Sequence, residues 1–123
     1  MNQSEDKDYQ KFLEFKRQAQ EREEELMFDH WNNLFFHGED IINHVSDANP
    51  EAIVLEPRKT CNCAVVGYDS QYRVIYSYNK LIEVFMEFDG MSEEDAREHF
   101  SYNTLGTFDG MDNPNKPIFM YEE

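Results

Sequence analysis

Positive charge is scarce in this sequence. Eleven Lys and Arg stand against 26 Asp and Glu, and the formal net charge is −15 with a pI near 4.5. Phosphate attraction dominates nucleic-acid binding, and at this charge it becomes repulsion, which argues against the chain as a direct nucleic-acid binder. Cysteine is nearly absent. Cys61 and Cys63 are the only two, and one Cys-x-Cys lacks the second ligand pair that a structural zinc needs, so both read as reduced thiols. Long apolar runs are missing as well, so no membrane span is expected. Met1 to Asp6 carries neither the basic region nor the apolar stretch of a secretory signal, and the chain is expected to be soluble and intracellular. What the sequence does have is aromatic mass. Ten Phe, seven Tyr and one Trp in 123 residues are enough to build the core of one domain, in spite of a charge that would otherwise suggest disorder.

The acid is unevenly placed. Residues 1–25 carry net −3, residues 26–63 net −4 and residues 64–123 net −8. This divides a mixed-sign helical arm, residues 1–50, from an acidic body, residues 51–123. Residues 4–36 contain no Gly or Pro and are rich in helix formers, so they read as a long N-terminal helix. Its apolar ends (Tyr9, Phe12, Leu13 and Phe15, then Leu26, Met27, Trp31, Leu34 and Phe35) flank a polar middle. Such a helix can bridge to a partner or to a second copy, and a mobile tail over residues 1–24 is the plainer reading. Gly38 is expected to end the helix as a left-handed cap, with a short second helix from Glu39 to Val45. Residues 52–56 read as a strand. The runs 63–68 and 72–78, separated by Asp69-Ser70-Gln71, form a hairpin signal. Asn79 is placed as the cap of a helix with Leu81, Ile82, Phe85, Met86 and Phe88 inward and Gly90 at its end. Ser92 caps a further helix to about Tyr102, with Ala96, Phe100 and His99 inward. A strand at 118–121 closes the chain. The order gives an α+β fold: a long N-terminal helix and a small antiparallel sheet, made of a hairpin with flanking strands and packed by two short helices.

Between residues 52 and 121 the text resembles a family of small phage and prophage proteins, mostly of unassigned function. The likeness is carried by Ala64-Val65-Val66-Gly67-Tyr68-Asp69 and Arg73-Val74-Ile75-Tyr76-Ser77-Tyr78. It continues through Lys80-Leu81-Ile82, Gly90-Met91-Ser92-Glu93-Glu94-Asp95-Ala96, Tyr102-Asn103-Thr104 and Pro117-Ile118. The resemblance implies a shared module to which different N-terminal arms are attached, here the unmatched residues 1–50. It also implies the host cytoplasm as the place of action.

No constellation points to a reaction. His30, His37 and His44 recur every seven residues, about 10.5 Å along a helix, too far apart to share one ion. Phe88-Asp89-Gly90-Met91 recurs as Phe108-Asp109-Gly110-Met111. Both copies read as glycine turns, and the second lacks the ligand pattern of an EF-hand. No phosphate loop, nucleophile elbow or paired His–Glu motif is present, so neither an enzyme nor a metal or cofactor is expected.

The remaining signal is a run of carboxylates, Glu83, Glu87, Asp89, Glu93, Glu94, Asp95, Glu98, Asp109 and Asp112. Most are expected on outward helix faces, where carboxylates can imitate DNA phosphates and occupy a basic groove. A solvated face kept for solubility is the common alternative. With the phage resemblance, the expected function is a non-enzymatic inhibitor of a host nucleic-acid-binding defence protein, of anti-CRISPR or anti-restriction type. The arm aromatics Phe12, Phe15, Trp31 and Phe35 would anchor the partner or form a homodimer. Two other readings stand beside it: a nucleotide-signal binder using Arg73, Arg97 and Tyr102, or a phage assembly accessory.

Overall fold

A computed structural model describes residues 29–122. The expected features at residues 1–28, including the first apolar group with Phe12 and Phe15, lie outside the described residues. Helix α1 runs through residues 29–48 without a break. Gly38 therefore does not cap it. Gly38 is buried in mid-helix, and a Cβ added there would overlap the Asn62 carbonyl oxygen, at 2.9 Å from its carbonyl carbon and 3.2 Å from the Val65 Cβ. The glycine is needed for close approach of another backbone, not for a left-handed φ. One turn and two turns further on, Ile42 and Val45 are buried at helical spacing. The compact unit that holds the sheet accordingly begins at Asn33, so residues 33–50 belong to it.

Residues 52–56 form no strand. Their backbone is held by single bonds instead of a ladder. Ile53 N–H donates to the Asn115 carbonyl at 3.0 Å, and Leu55 N–H donates to the Tyr76 hydroxyl oxygen at 2.8 Å. A buried side chain thus takes the place of a neighbouring strand. Helix α2 (Arg58–Cys61) and a 3₁₀ turn (Asn62–Ala64) follow, burying Cys61, Cys63 and Ala64. The two cysteines form no disulfide and lie in helical backbone.

Strands β1 (Val65–Tyr68) and β2 (Val74–Ser77) pair antiparallel, with an irregularity at Val66 between the Val65↔Tyr76 and Gly67↔Ile75 pairs. Strand β3 (Ile118–Met120) pairs with β2 in parallel, in the order β1-β2-β3. The sheet is therefore mixed, not purely antiparallel. The cause is the connection, because the helical stretch between β2 and β3 returns the chain to the same end of the sheet, as parallel pairing requires. Its central strand is the most buried, with Val74, Tyr76 and Ser77 fully enclosed.

Helix α3 (Tyr78–Asp89) starts directly from β2. Its cap is Ser77, whose Oγ accepts from Lys80 N–H, and not Asn79, which lies inside the first turn. The same hydroxyl donates to Glu122 Oε1 at 2.7 Å, which ties the C-terminal residues to the sheet. Leu81, Ile82, Val84 and Phe85 face inward, while Met86 and Phe88 are exposed. Gly90 closes α3 at φ 69° and Gly110 turns the chain at φ 78°, so both copies of the Phe-Asp-Gly-Met repeat are glycine turns. Helix α4 (Glu93–His99) is capped as expected, with Ser92 Oγ accepting from Asp95 N–H at 3.1 Å. Such a cap contributes about 1 kcal/mol. The helical path does not stop near Tyr102. It widens into a π-helix (Phe100–Leu105) and ends in the short α5 (Gly106–Phe108). Phe100 is buried beneath this path, edge-on to Tyr78 and Phe119.

Candidate functional site

All nine body carboxylates named from the sequence are exposed. Glu83, Glu87 and Asp89 lie on α3. Glu93, Glu94, Asp95 and Glu98 lie on α4, and Asp109 and Asp112 follow α5. Residues 83–98 thus hold seven acidic side chains and one basic one, Arg97. Arg97 is already engaged with Glu93, Nη2 to Oε1 at 2.6 Å, in an exposed pair of little energetic weight. Trp31 and Phe35 are half-buried on α1. The most exposed apolar side chain of the helical path is Tyr102, at 80%.

The residues proposed for a nucleotide do not converge. The Arg73 guanidinium is clamped by Asp69 through Nε at 2.7 Å and Nη2 at 2.6 Å, and Arg97 lies on α4 with Glu93. Tyr102 borders a shallow open depression with Met91, Asp95, Glu98, His99 and Asn103, and neither arginine lines it.

One aromatic surface went unrecognised in the sequence. At the hairpin tip Tyr68 and Tyr72 stack with centroids 5.6 Å apart and planes 9° from parallel, and His44 of α1 tilts against both, at 5.0 and 6.1 Å. All three are exposed. Tyr72 holds φ 57°, a left-handed conformation that is strained for an aromatic residue. Asp69 enforces it. Its Oδ1 accepts from the backbone N–H of Gln71 and of Arg73, its carbonyl accepts from Tyr72 N–H, and Asn49 Nδ2 donates to the Tyr72 carbonyl. The available signal was an Asp four residues before an Arg across a turn.

Burial alone would raise the Asp69 carboxyl, but the Arg73 guanidinium and the backbone donors outweigh it and hold the group below the usual carboxylate range. A depressed pKa contributes stability that is present above the unfolded value of about 3.9 and lost as pH falls through the folded value. The tip is therefore expected to loosen in acid below about pH 4. Amide exchange at Gln71 and Arg73 should rise in that window, and Asp69→Asn should flatten the dependence. An unchanged profile in the variant would contradict the assignment.

A second feature is a half-open cavity of about 320 Å³ bordered by three segments of the body. Val54, Leu55, Glu56, Pro57, Thr60 and Cys61 come from the loop and α2, Phe85 and Asp89 from α3, and His99, Asn103, Thr104, Thr107 and Phe108 from the α4–π–α5 path. The π-helix sets the last group in place, and such insertions recur at functional sites. His99, Asn103 and Thr107 follow one another every four residues. Asn103 Nδ2 lies 3.0 Å from His99 Nδ1, Thr107 Oγ1 donates to the Asn103 carbonyl at 2.6 Å, and the His99 ring stands edge-on to Phe85 at 4.7 Å.

The cavity thiol is not a poised nucleophile. Burial first, with the Asp89 and Glu56 charges adding to it against a Thr60 hydrogen bond, pushes Cys61 up to about 11. At pH 8 only about a thousandth of it is thiolate. Iodoacetamide is expected to leave Cys61 unmodified in the native protein at pH 8 and to label it in urea, as read by intact mass. Rapid native labelling would contradict the burial.

Among the described residues no group of His, Cys, Asp and Glu is arranged to hold a metal, and no helix is long and apolar enough to cross a membrane. No protein-family model matches the chain, and no curated protein and no solved structure is significantly similar to it.

Proposed function

We propose that this chain is a non-enzymatic binding protein that presents its α3–α4 carboxylates to the basic groove of a nucleic-acid-binding protein and blocks that groove. One observation carries the reading. Seven exposed acidic side chains fall within residues 83–98, and the single basic residue among them is already paired. A surface of this kind steers fast, salt-sensitive association with Arg and Lys clusters and repels nucleic acid itself. The aromatic tip of Tyr68, Tyr72 and His44 supplies the other ingredient of a protein interface, rigid rings held ready at little entropic cost. The identity of the target class, a host defence protein such as a CRISPR effector or restriction complex, comes from the phage resemblance at residues 64–69 and 73–78. The host cytoplasm as the place of action is part of the same proposal. Trp31 and Phe35 on α1 remain the described part of the proposed anchor or dimer contact.

The test is capture from a bacterial lysate with the protein as bait at low salt, followed by elution in high salt and mass spectrometry. Recovery of a nucleic-acid enzyme that elutes with salt and is displaced by duplex DNA supports the reading. Recovery of partners that stay bound in high salt, or that bind DNA and the bait together, overturns it. The nucleotide-signal alternative draws no support from the cavity, whose wall carries two carboxylates and no Lys or Arg.

A further inference from the structure

We propose that the cavity between the residue 54–61 segment, the end of α3 and the α4–π–α5 path binds a small organic cation, an ammonium or guanidinium group on a short apolar body. The chemistry of the wall is one-signed. Asp89 and Glu56 are its carboxylates, no Lys or Arg contributes to it, and His99 is its one imidazole. Asp89 makes no ion pair among the described residues, whereas Glu56 shares an exposed pair with Arg58 at 3.5 Å, so Asp89 is the main anchor. Asp89 is also the last residue of α3, where the carbonyl end of the helix adds negative potential. The field reaches inside the cavity, because both carboxylates raise the buried Cys61 thiol, Asp89 more than Glu56.

The remaining wall suits the rest of such a ligand. Leu55 and Phe85 offer an apolar floor for the body of such a ligand. Asn103 and Thr107 supply oxygen atoms that can accept from N–H donors. A volume of about 320 Å³ lies at the small end of the range for ligand sites and fits one ring or a chain of a few carbons with its charged end. An anion would meet two carboxylates and no counter-charge. The inference does not depend on the partner proposed for the acidic face, because it concerns the free protein and shares only Asp89 with that face.

The experiment is an NMR titration of the isolated full chain with three probes of similar size: benzylammonium, benzyl alcohol and benzoate. Benzylammonium is expected to saturate amide shifts at Thr60, Asn103 and Thr107, with benzyl alcohol at least tenfold weaker and benzoate weaker still. Asp89→Asn should weaken benzylammonium at least fivefold, while Glu51→Gln, the same charge change on an exposed loop away from the wall, leaves it unchanged. Equal affinity for the three probes would overturn the proposal. So would shifts centred away from the cavity, no saturable binding, or an equal loss in the two variants. The amide spectrum of each unliganded variant reports its fold independently.

Discussion

Replacing Gly38 with alanine is expected to destabilise the protein by about 2 kcal/mol, a fall in Tm of about 10 °C, although alanine is the better helix former. In an exposed helix interior the same change would stabilise by close to 1 kcal/mol. Here the new Cβ would overlap the Asn62 carbonyl oxygen and press on Val65, and neither is a flexible side-chain end that can swing aside. Overpacking of this kind costs about 1–3 kcal/mol and exceeds the propensity gain. Gly67→Ala is the matched control. Nothing lies within 4 Å of a Cβ added there, and the change should stay within about 0.5 kcal/mol. Urea denaturation of the two variants decides the matter. A stabilised Gly38→Ala protein would mean that α1 does not lie against the 3₁₀ turn.

That glycine marks the limit of what could be read from one sequence. Local rules worked where local groups decide. Ser92 announces α4 because its cap partner is three residues away, and Gly90 ends α3 because a left-handed φ suits glycine. Gly38 was misassigned because a cap and a close approach demand the same residue, and only the second element, Asn62, tells them apart. Residues 52–55 have strand-like composition, yet their backbone partners are the Tyr76 hydroxyl and Asn115, both distant in sequence. Ser77 was overlooked as a cap because it is also the last residue of β2. Met86 and Phe88 are exposed: Met86 lies off the stripe of Leu81, Ile82, Val84 and Phe85, and Phe88 lies on that stripe but in the last turn of α3. The carboxylate face was legible, because surface acids on helices follow directly from the apolar stripe opposite them. The cavity was not, since three segments spread between Val54 and Phe108 build it. The stacked tyrosines depend on a strained φ at Tyr72 that no spacing reveals.

The second large effect concerns binding. Changing Glu83, Glu87, Glu94 and Glu98 to glutamine is expected to weaken affinity for the captured partner at least 100-fold, which corresponds to about 3 kcal/mol. These four are exposed, and none forms an ion pair among the described residues. Their removal should therefore leave stability within about 1 kcal/mol, most of it from losing the favourable charge of Glu94 in the first turn of α4. The control removes four charges elsewhere, with Asp29, Asp40 and Asp47 changed to asparagine and Glu51 to glutamine, all of them exposed. If binding depends on the α3–α4 face, the control retains most of its affinity. Equal weakening in both variants would mean that net charge alone is responsible, and unchanged binding in the first would remove the acidic face from the interface.

The most direct measurement is the affinity for that partner between about 10 mM and about 1 M salt, across which the screening length falls from about 30 Å to about 3 Å. It should be taken with and without competing duplex DNA. If the acidic face fills a basic groove, the affinity drops at least tenfold over this range, mainly through the association rate, and duplex DNA displaces the protein. Binding that is indifferent to salt, or a ternary complex in which the partner holds DNA and this protein together, would contradict it.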